Sequence, residues 1–414
     1  MNYEYFNTLL VQSIGSKTGS TAPQITPSAS FGYKDAMQAQ EIFEGTKKLP
    51  LYARVGNPTN TKLESIVTKI ENGFGAIATS SGMGAISMVL SAILSANDEI
   101  LCIGGFFGGT YTLVGETLKR FAIKSSFCEI DDFATIEKKL KSNIKIVLIE
   151  SVGNPGLRLP DIKKISDLCK SYETLLIIDN TTTPLLVRPL ELGADIVVHS
   201  STKNMSGHSA ALGGIAVFRE VDSKSDKLLN QKYKDLHEII KKAQKASLIA
   251  ICKKRALRDI GMSANAFGSF LTILGLETLA LRVQRVNKSV ETVVKILEQK
   301  LPQDIVVNHP SLEKSRDFEN YKKFFKNGCG PIFTVDCKTQ KRAFEFIDKL
   351  KLATMTANIG DNRTLVLHMK STIYRDFDKE SREHLGITDG LIRVSVGLEN
   401  PQDIANDFLQ ASIK

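Results

Sequence analysis

Five short apolar runs constrain this chain most: EILCIG (99–104), IKIVLIE (144–150), TLLIID (174–179), ADIVVHS (194–200) and GIAVFR (214–219). Their apolar residues are continuous rather than alternating, the pattern of strands buried on both faces of a parallel sheet. Helical stretches separate them, at 61–72, 82–95, 110–121, 132–141 and 161–172. Strand and helix in alternation predict a doubly wound α/β fold with a mostly parallel sheet and right-handed crossovers. Ligands of such sheets sit beyond the carboxyl ends of the strands. Three of the runs lead straight into polar clusters, at 150–155, 179–184 and 200–208, so chemistry is expected there.

The expected organisation is an N-terminal arm (1–60) with few elements, an α/β domain (61–258) and a smaller α+β C-terminal domain (259–414). The net charge of +9 is concentrated, since residues 219–258 hold 12 Lys/Arg against 5 Asp/Glu. That segment reads as a helix with a solvated basic face, and nucleic acid is not expected as a partner. No apolar run approaches the ~18 residues of a bilayer span, so no membrane is expected either. The first basic residue is Lys17 and no small-residue cleavage site precedes it, which argues against a secretory leader. The six cysteines are scattered without C-x-x-C spacing, so no zinc site or disulfide framework is expected, and reduced thiols point to the cytoplasm.

Three clusters stand out. In HSSTKNMSGHS (199–209), Lys203 follows a buried strand among small hydroxyl residues. A partly desolvated lysine has a lowered pKa and can form a Schiff base with an aldehyde cofactor, while the hydroxyls can bind phosphate. In TLLIIDNTTTP (174–184), Asp179 ends a buried strand, where a carboxylate needs a partner. A protonated pyridine nitrogen is one such partner. In ATSSGMGAIS (78–87), small residues lead into a helix whose free N–H groups, those of Gly82 and Met83 among them, can cradle an anion. Each cluster alone has a plainer reading: a loop lysine, a capping aspartate, a glycine-rich turn.

Together they fall in register with YARVGNPTNTKLE (52–64), SSGMGAI (80–86), GGTY (108–111), ESVGNP (150–155), DNTTTP (179–184), RPLELGADIVVHSSTK (188–203) and GLIRVSVGLE (390–399). Over nearly its whole length the chain resembles the pyridoxal-phosphate enzymes of cysteine and methionine metabolism. This fold-type-I group contains cystathionine γ-synthase, methionine γ-lyase and O-acetylhomoserine sulfhydrylase. The resemblance implies that Lys203 bonds the cofactor aldehyde and Asp179 faces the pyridine nitrogen. It implies that Ser200, Thr202, Gly82 and Met83 hold the phosphate and that Asn154 approaches the ring hydroxyl. Phe107 stands where the family usually has a tyrosine stacked on the ring; a phenyl ring can still stack, without the hydroxyl. Tyr52 and Arg54 resemble the pair that reaches the neighbouring subunit's phosphate, which implies shared sites in a tetramer built from dimers. Arg393 resembles the arginine that clamps the substrate carboxylate.

Within the family, local features lean towards the sulfhydrylases. Val152 stands where lyases and cystathionine synthases more often have proline, and Gly109 where methionine γ-lyases have cysteine. LRDIG (257–261) and GLETLALR (275–282) are sulfhydrylase-like, and in ANIGD (357–361) Asn358 replaces the serine usual in lyases near the substrate carboxylate. Against this, 219–258 lacks the expected aromatic and glycine pattern, and HMKSTIYRDF (368–377) departs from the family's run. The expected reaction is γ-replacement: an O-acylhomoserine and sulfide or a thiol give homocysteine or a related thioether. In it, freed Lys203 would move the α and β protons and Tyr52 would assist the leaving group. The alternative is a methionine γ-lyase, cystathionine γ-synthase, or a β- or γ-lyase.

Overall fold

The structure is a computed structural model that describes residues 3–15, 19–222 and 224–413; residues 1, 2 and 16–18 of the arm, 223 of the basic segment and 414 lie outside it. All five apolar runs are strands of one seven-stranded sheet: β2 (Glu99–Ile103), β4 (Ile144–Glu150), β5 (Leu175–Asp179), β6 (Ile196–His199) and β7 (Gly214–Phe218). Two further strands, β1 (Gly75–Thr79) and β3 (Lys124–Cys128), form its edges, in the order β1-β7-β6-β5-β4-β2-β3. Neither showed an apolar run: GAIAT carries small residues, and KSSFC pairs with β2 alone and is only partly buried. The sheet is parallel from β6 to β3, while β7 runs antiparallel to both β6 and β1.

The arm is more ordered than expected. A helix spans Tyr3–Ile14 and buries Phe6, Leu10 and Ile14, spaced by four so that they share one face, in the main apolar core. A second helix spans Ala36–Glu44.

The basic segment is not one helix. It is broken into short turns, 3-10, α and π, between Lys227 and Ile260, and several of its side chains make contacts of their own. Tyr233 is fully buried and its hydroxyl donates to Lys145 O at 2.7 Å while accepting from Leu175 N at 3.0 Å. Lys232 Nζ donates to the carbonyls of Ile144 (3.2 Å) and Tyr172 (2.8 Å). Arg219 and Lys227 both pair with Asp195, and Arg255 with Asp235. The segment thus closes the amino-terminal edge of the sheet, satisfying strand-end groups that water would otherwise reach.

Helix Ala266–Glu277 meets helix Leu279–Lys300 at 62°, and no single described helix is long and apolar enough to cross a membrane. The longer helix serves two cores. Val283 packs in the main one, whereas Val286 to Leu297 pack in a second, under a five-stranded sheet. That sheet has the order β10-β11-β12-β9-β8, with β8 (Val306–Asn308), β9 (Ile332–Asp336), β10 (Thr354–Met355), β11 (Leu365–His368) and β12 (Leu391–Ser395).

Candidate active site

Because β4, β5 and β6 are parallel, their last residues Glu150, Asp179 and His199 lie along one edge, and register pairs Glu150 with Asp179 directly. Lys203 sits in the turn that follows β6. Helix Gly82–Ile93 begins opposite, capped by Ser81 Oγ, which accepts from Gly84 N at 3.0 Å. A Cβ on Gly82 would lie 2.6 Å from Ser200 Cβ, so only glycine lets this helix start approach the Ser200 turn. Between them opens a cleft with about 580 Å³ of empty space.

The charges in it are poorly compensated. Glu150 accepts from Phe107 N (2.7 Å) and Asn154 N (3.0 Å), yet burial and the neighbouring Asp179 push its carboxyl well above the usual range. Burial also raises Asp179, although its Oδ1 accepts from Thr181 N at 2.9 Å. Lys203 is pushed down to about 8, by burial first and then by the Arg393 cation. Its Nζ donates to Asn358 Oδ1 at 2.5 Å. Arg393, 3% exposed on β12, donates to Asn154 Oδ1 (3.3 Å) and Asn358 O (3.2 Å), and burial lowers it to about 10. Two acids that resist ionising and a lysine that sheds its proton easily mark a site built for chemistry rather than for stability.

The cleft brings together Gly82, Met83, Phe107, Asn154, Asp179, Ser200 and Lys203, and hydrogen bonds join Arg393 and Asn358 to it. Thr202 stands aside: its hydroxyl donates to Gly213 O (3.1 Å) and accepts from Gly213 N (3.0 Å). Tyr52 and Arg54 do not line this chain's cleft. Tyr52 is 44% exposed, with the Arg54 guanidinium 5.6 Å from its ring centroid and bonded to Arg258 O.

Three residues were missed as individuals. Glu150 ends an apolar strand just as Asp179 does, which was a readable signal. Thr181 accepts from Ser200 N at 2.8 Å and so ties the two loops. Tyr374, fully buried, donates to Asn154 O at 3.1 Å; nothing in its exposed-looking sequence context pointed inward.

The residues present fit pyridoxal phosphate. A helix start with free N–H groups suits a phosphate, a lysine with depressed pKa suits an aldehyde, and a buried carboxylate short of donors suits a protonated ring nitrogen. Comparisons agree. Residues 7–412 match the family described as Cys/Met metabolism PLP-dependent enzyme. The chain is 35% identical to the homocysteine synthase of Schizosaccharomyces pombe, over 99% of this chain and 98% of that one. It is 33% identical to an L-methionine gamma-lyase of Fusobacterium nucleatum, over 95% of this chain and 93% of the relative. A candidate O-acetylhomoserine (thiol)-lyase from Campylobacter jejuni, solved with N'-pyridoxyl-lysine-5'-monophosphate, superposes with a TM-score of 0.90 at 30% identity, covering 98% of this chain and 99% of that one. This chain therefore belongs to the Cys/Met metabolism PLP-dependent enzymes, with their fold-type-I architecture and pyridoxal phosphate as cofactor.

Proposed function

We propose that the enzyme carries out γ-replacement, converting an O-acylhomoserine, with acetyl as the acyl group, and sulfide or a thiol into homocysteine or a related thioether. The observation that carries this reading is the contact of Asn358 with Lys203 Nζ at 2.5 Å. Asn358 is, with Val152 and Gly109, one of the positions at which the chain differs from the lyase pattern, and it touches Lys203 Nζ. The names of the relatives from S. pombe and C. jejuni support the same reading.

Pyridoxal phosphate supplies the electron sink for carbanions at the α and β carbons. The N–H groups of Gly82 and Met83 and the hydroxyls of Ser200 and Thr202 would hold its phosphate. Asp179 would keep the ring nitrogen protonated, Phe107 would offer its face to the ring, and Asn154 would serve the ring hydroxyl. Arg393 takes the substrate carboxylate in its planar fork. Lys203, with its proton affinity lowered to about 8, would accept the α proton and, once it has given that proton up, a β proton. Tyr52 assists departure of the acyl group.

Tyr52 and Arg54 reach the phosphate of the neighbouring subunit, and Tyr52 acts there too, in a tetramer made of two such dimers. That neither lines its own cleft supports this. Mixing inactive Arg54→Ala with inactive Lys203→Ala subunits should restore activity, because one site of a mixed dimer is intact. No recovery after verified exchange would refute shared sites. The cytoplasm, where its six free, buried thiols stay reduced, is the proposed compartment.

The alternative, elimination, has the F. nucleatum methionine γ-lyase as its support. Acetyl-, succinyl- and phosphohomoserine with sulfide should yield homocysteine much faster than 2-oxobutyrate. Both outcomes share the γ-eliminated stage, so a site that orients sulfide wins by proximity. If methionine or cystathionine gives ketoacid faster than any acylhomoserine gives thiol product, elimination is the true reaction.

A further inference from the structure

Asn358 has a donor and an acceptor on one amide, and which of them meets Lys203 decides whether the protonated amine is held or repelled. A chain of hydrogen bonds makes that choice. Asp361 is 3% exposed. Its Oδ1 accepts from Arg363 N (2.9 Å) and Nε (2.8 Å), and its Oδ2 from Arg363 Nη2 (3.1 Å). Burial works to raise its carboxyl, but the bonds from Arg363 and Ser209 outweigh this and hold it below the usual range. An ionised carboxylate can only accept, so Ser209 must give its hydroxyl proton to Asp361 Oδ2. Ser209 then has only lone pairs left, and Asn358 Nδ2 donates to them at 2.9 Å. The amide oxygen is thereby turned to Lys203 Nζ. Ser209 is held for this with φ +54°, a left-handed conformation that a serine adopts at some cost.

We propose that Asp361, acting through Ser209, sets the orientation of the Asn358 amide and so makes Asn358 an acceptor for the freed Lys203 amine. Asp361 is a positioning residue, and this inference rests on the proposed role of Lys203. The other charged or titratable groups are accounted for. Arg393 from β12 opposes the charge on Lys203, and Asp179 and Glu150 line the same cleft from the ends of β5 and β4. Arg363 faces Asp361, and His208, next to Ser209, has its Nδ1 against Ser206 O at 2.6 Å.

The test uses the holoenzyme saturated with an α-methyl amino acid, which displaces Lys203 but has no α proton to give. The pH midpoint of Lys203 is read by trace acetylation and mass spectrometry of its peptide. In D361N, Arg363 keeps the new amide oxygen and the amide nitrogen faces Ser209. The chain reverses, and Asn358 turns its N–H groups towards Lys203. The midpoint should fall by about half a pH unit or more. S209A, an exposed change that leaves the Asp361–Arg363 pair intact, should give a smaller fall in the same direction. It decides the matter if D361N does not fold. An unchanged midpoint in S209A, or in both variants, overturns the proposal. A wild-type Lys203 that is never freed by the α-methyl amino acid instead refutes its assignment as the cofactor lysine, and this inference with it. No turnover enters the measurement, so a lyase outcome for the reaction leaves it standing.

Discussion

At the amino-terminal edge of the main sheet, Lys145 meets Asp98 at 2.8 Å and Asp235 at 3.3 Å, while Arg219 meets Asp195 at 2.6 Å and Asp226 at 2.5 Å. At the carboxyl-terminal edge, Lys203 meets, among the described residues, a neutral amide and a second cation, and Glu150 lies beside Asp179. Both edges bury charge, and the same strands run between them. One edge sets Lys145, Arg219, Lys227 and Arg255 against carboxylates. At the other, burial lifts two carboxyls and lowers one lysine, and Asp179 beside Glu150 and Arg393 beside Lys203 add to it. A sheet edge of the first kind holds the fold, and one of the second kind waits for a ligand whose own charges complete it.

The largest effect that can break this contrast is on turnover. Lys203→Met should lower it by at least about 10³-fold, since proton transfer and covalent attachment both depend on this amine. Borohydride should fix the cofactor on Lys203 in the yellow wild-type enzyme and on no lysine of the variant. Label on another lysine would move the chemistry away from this edge.

The same substitution at the opposite edge should act on stability instead. Lys145 has a side chain only 5% exposed, and Lys145→Met strands Asp98, 14% exposed, without its cation. Removing one partner of a buried pair should cost about 2–4 kcal/mol in denaturant titrations, with activity per folded molecule unchanged. A loss below about 1 kcal/mol would mean that these pairs behave as surface ones, and the contrast between the edges would fail.

How legible the two edges were differs too. The five buried strands and Lys203 and Asp179 at their ends could be read because continuous apolar runs stop at polar residues, and a stop is visible in one dimension. The edge strands β1 and β3 lacked that signal, having few large apolar residues to bury. The helix Tyr3–Ile14 did carry a signal, Phe6, Leu10 and Ile14 at spacing four, but it was passed over within a polar-looking arm. The basic segment differs from a single helix for another reason. Lys227 pairs with Asp195, and Lys232 with the carbonyls of Ile144 and Tyr172, partners far away in sequence. Lys224, Lys234, Lys241, Lys242, Lys245 and Lys254, by contrast, are exposed as expected. The Asp361–Ser209–Asn358 chain likewise joins residues about 150 positions apart.

The smallest expected effect sharpens the comparison most, because it reverses a sign. Lys203 titrates near 8 in the folded protein against 10.5 for an ordinary lysine. A base whose folded pKa is depressed destabilises the fold wherever both states are charged, that is, below about pH 8. The penalty then fades as pH rises through the window from 8 to 10.5, where the unfolded chain holds a proton that the folded one has released. With the cofactor removed from both proteins, Lys203→Met should therefore be more stable than wild type at pH 7, by about 1–2 kcal/mol after allowing for partial solvent screening. That advantage should shrink towards zero near pH 10, as wild type regains what its amine had cost. Denaturant midpoints at pH 7 and pH 10 measure it directly. A variant that is less stable than wild type at pH 7 would show that Lys203 is well compensated where it stands. The carboxyl-terminal edge would then be no different in kind from the amino-terminal one.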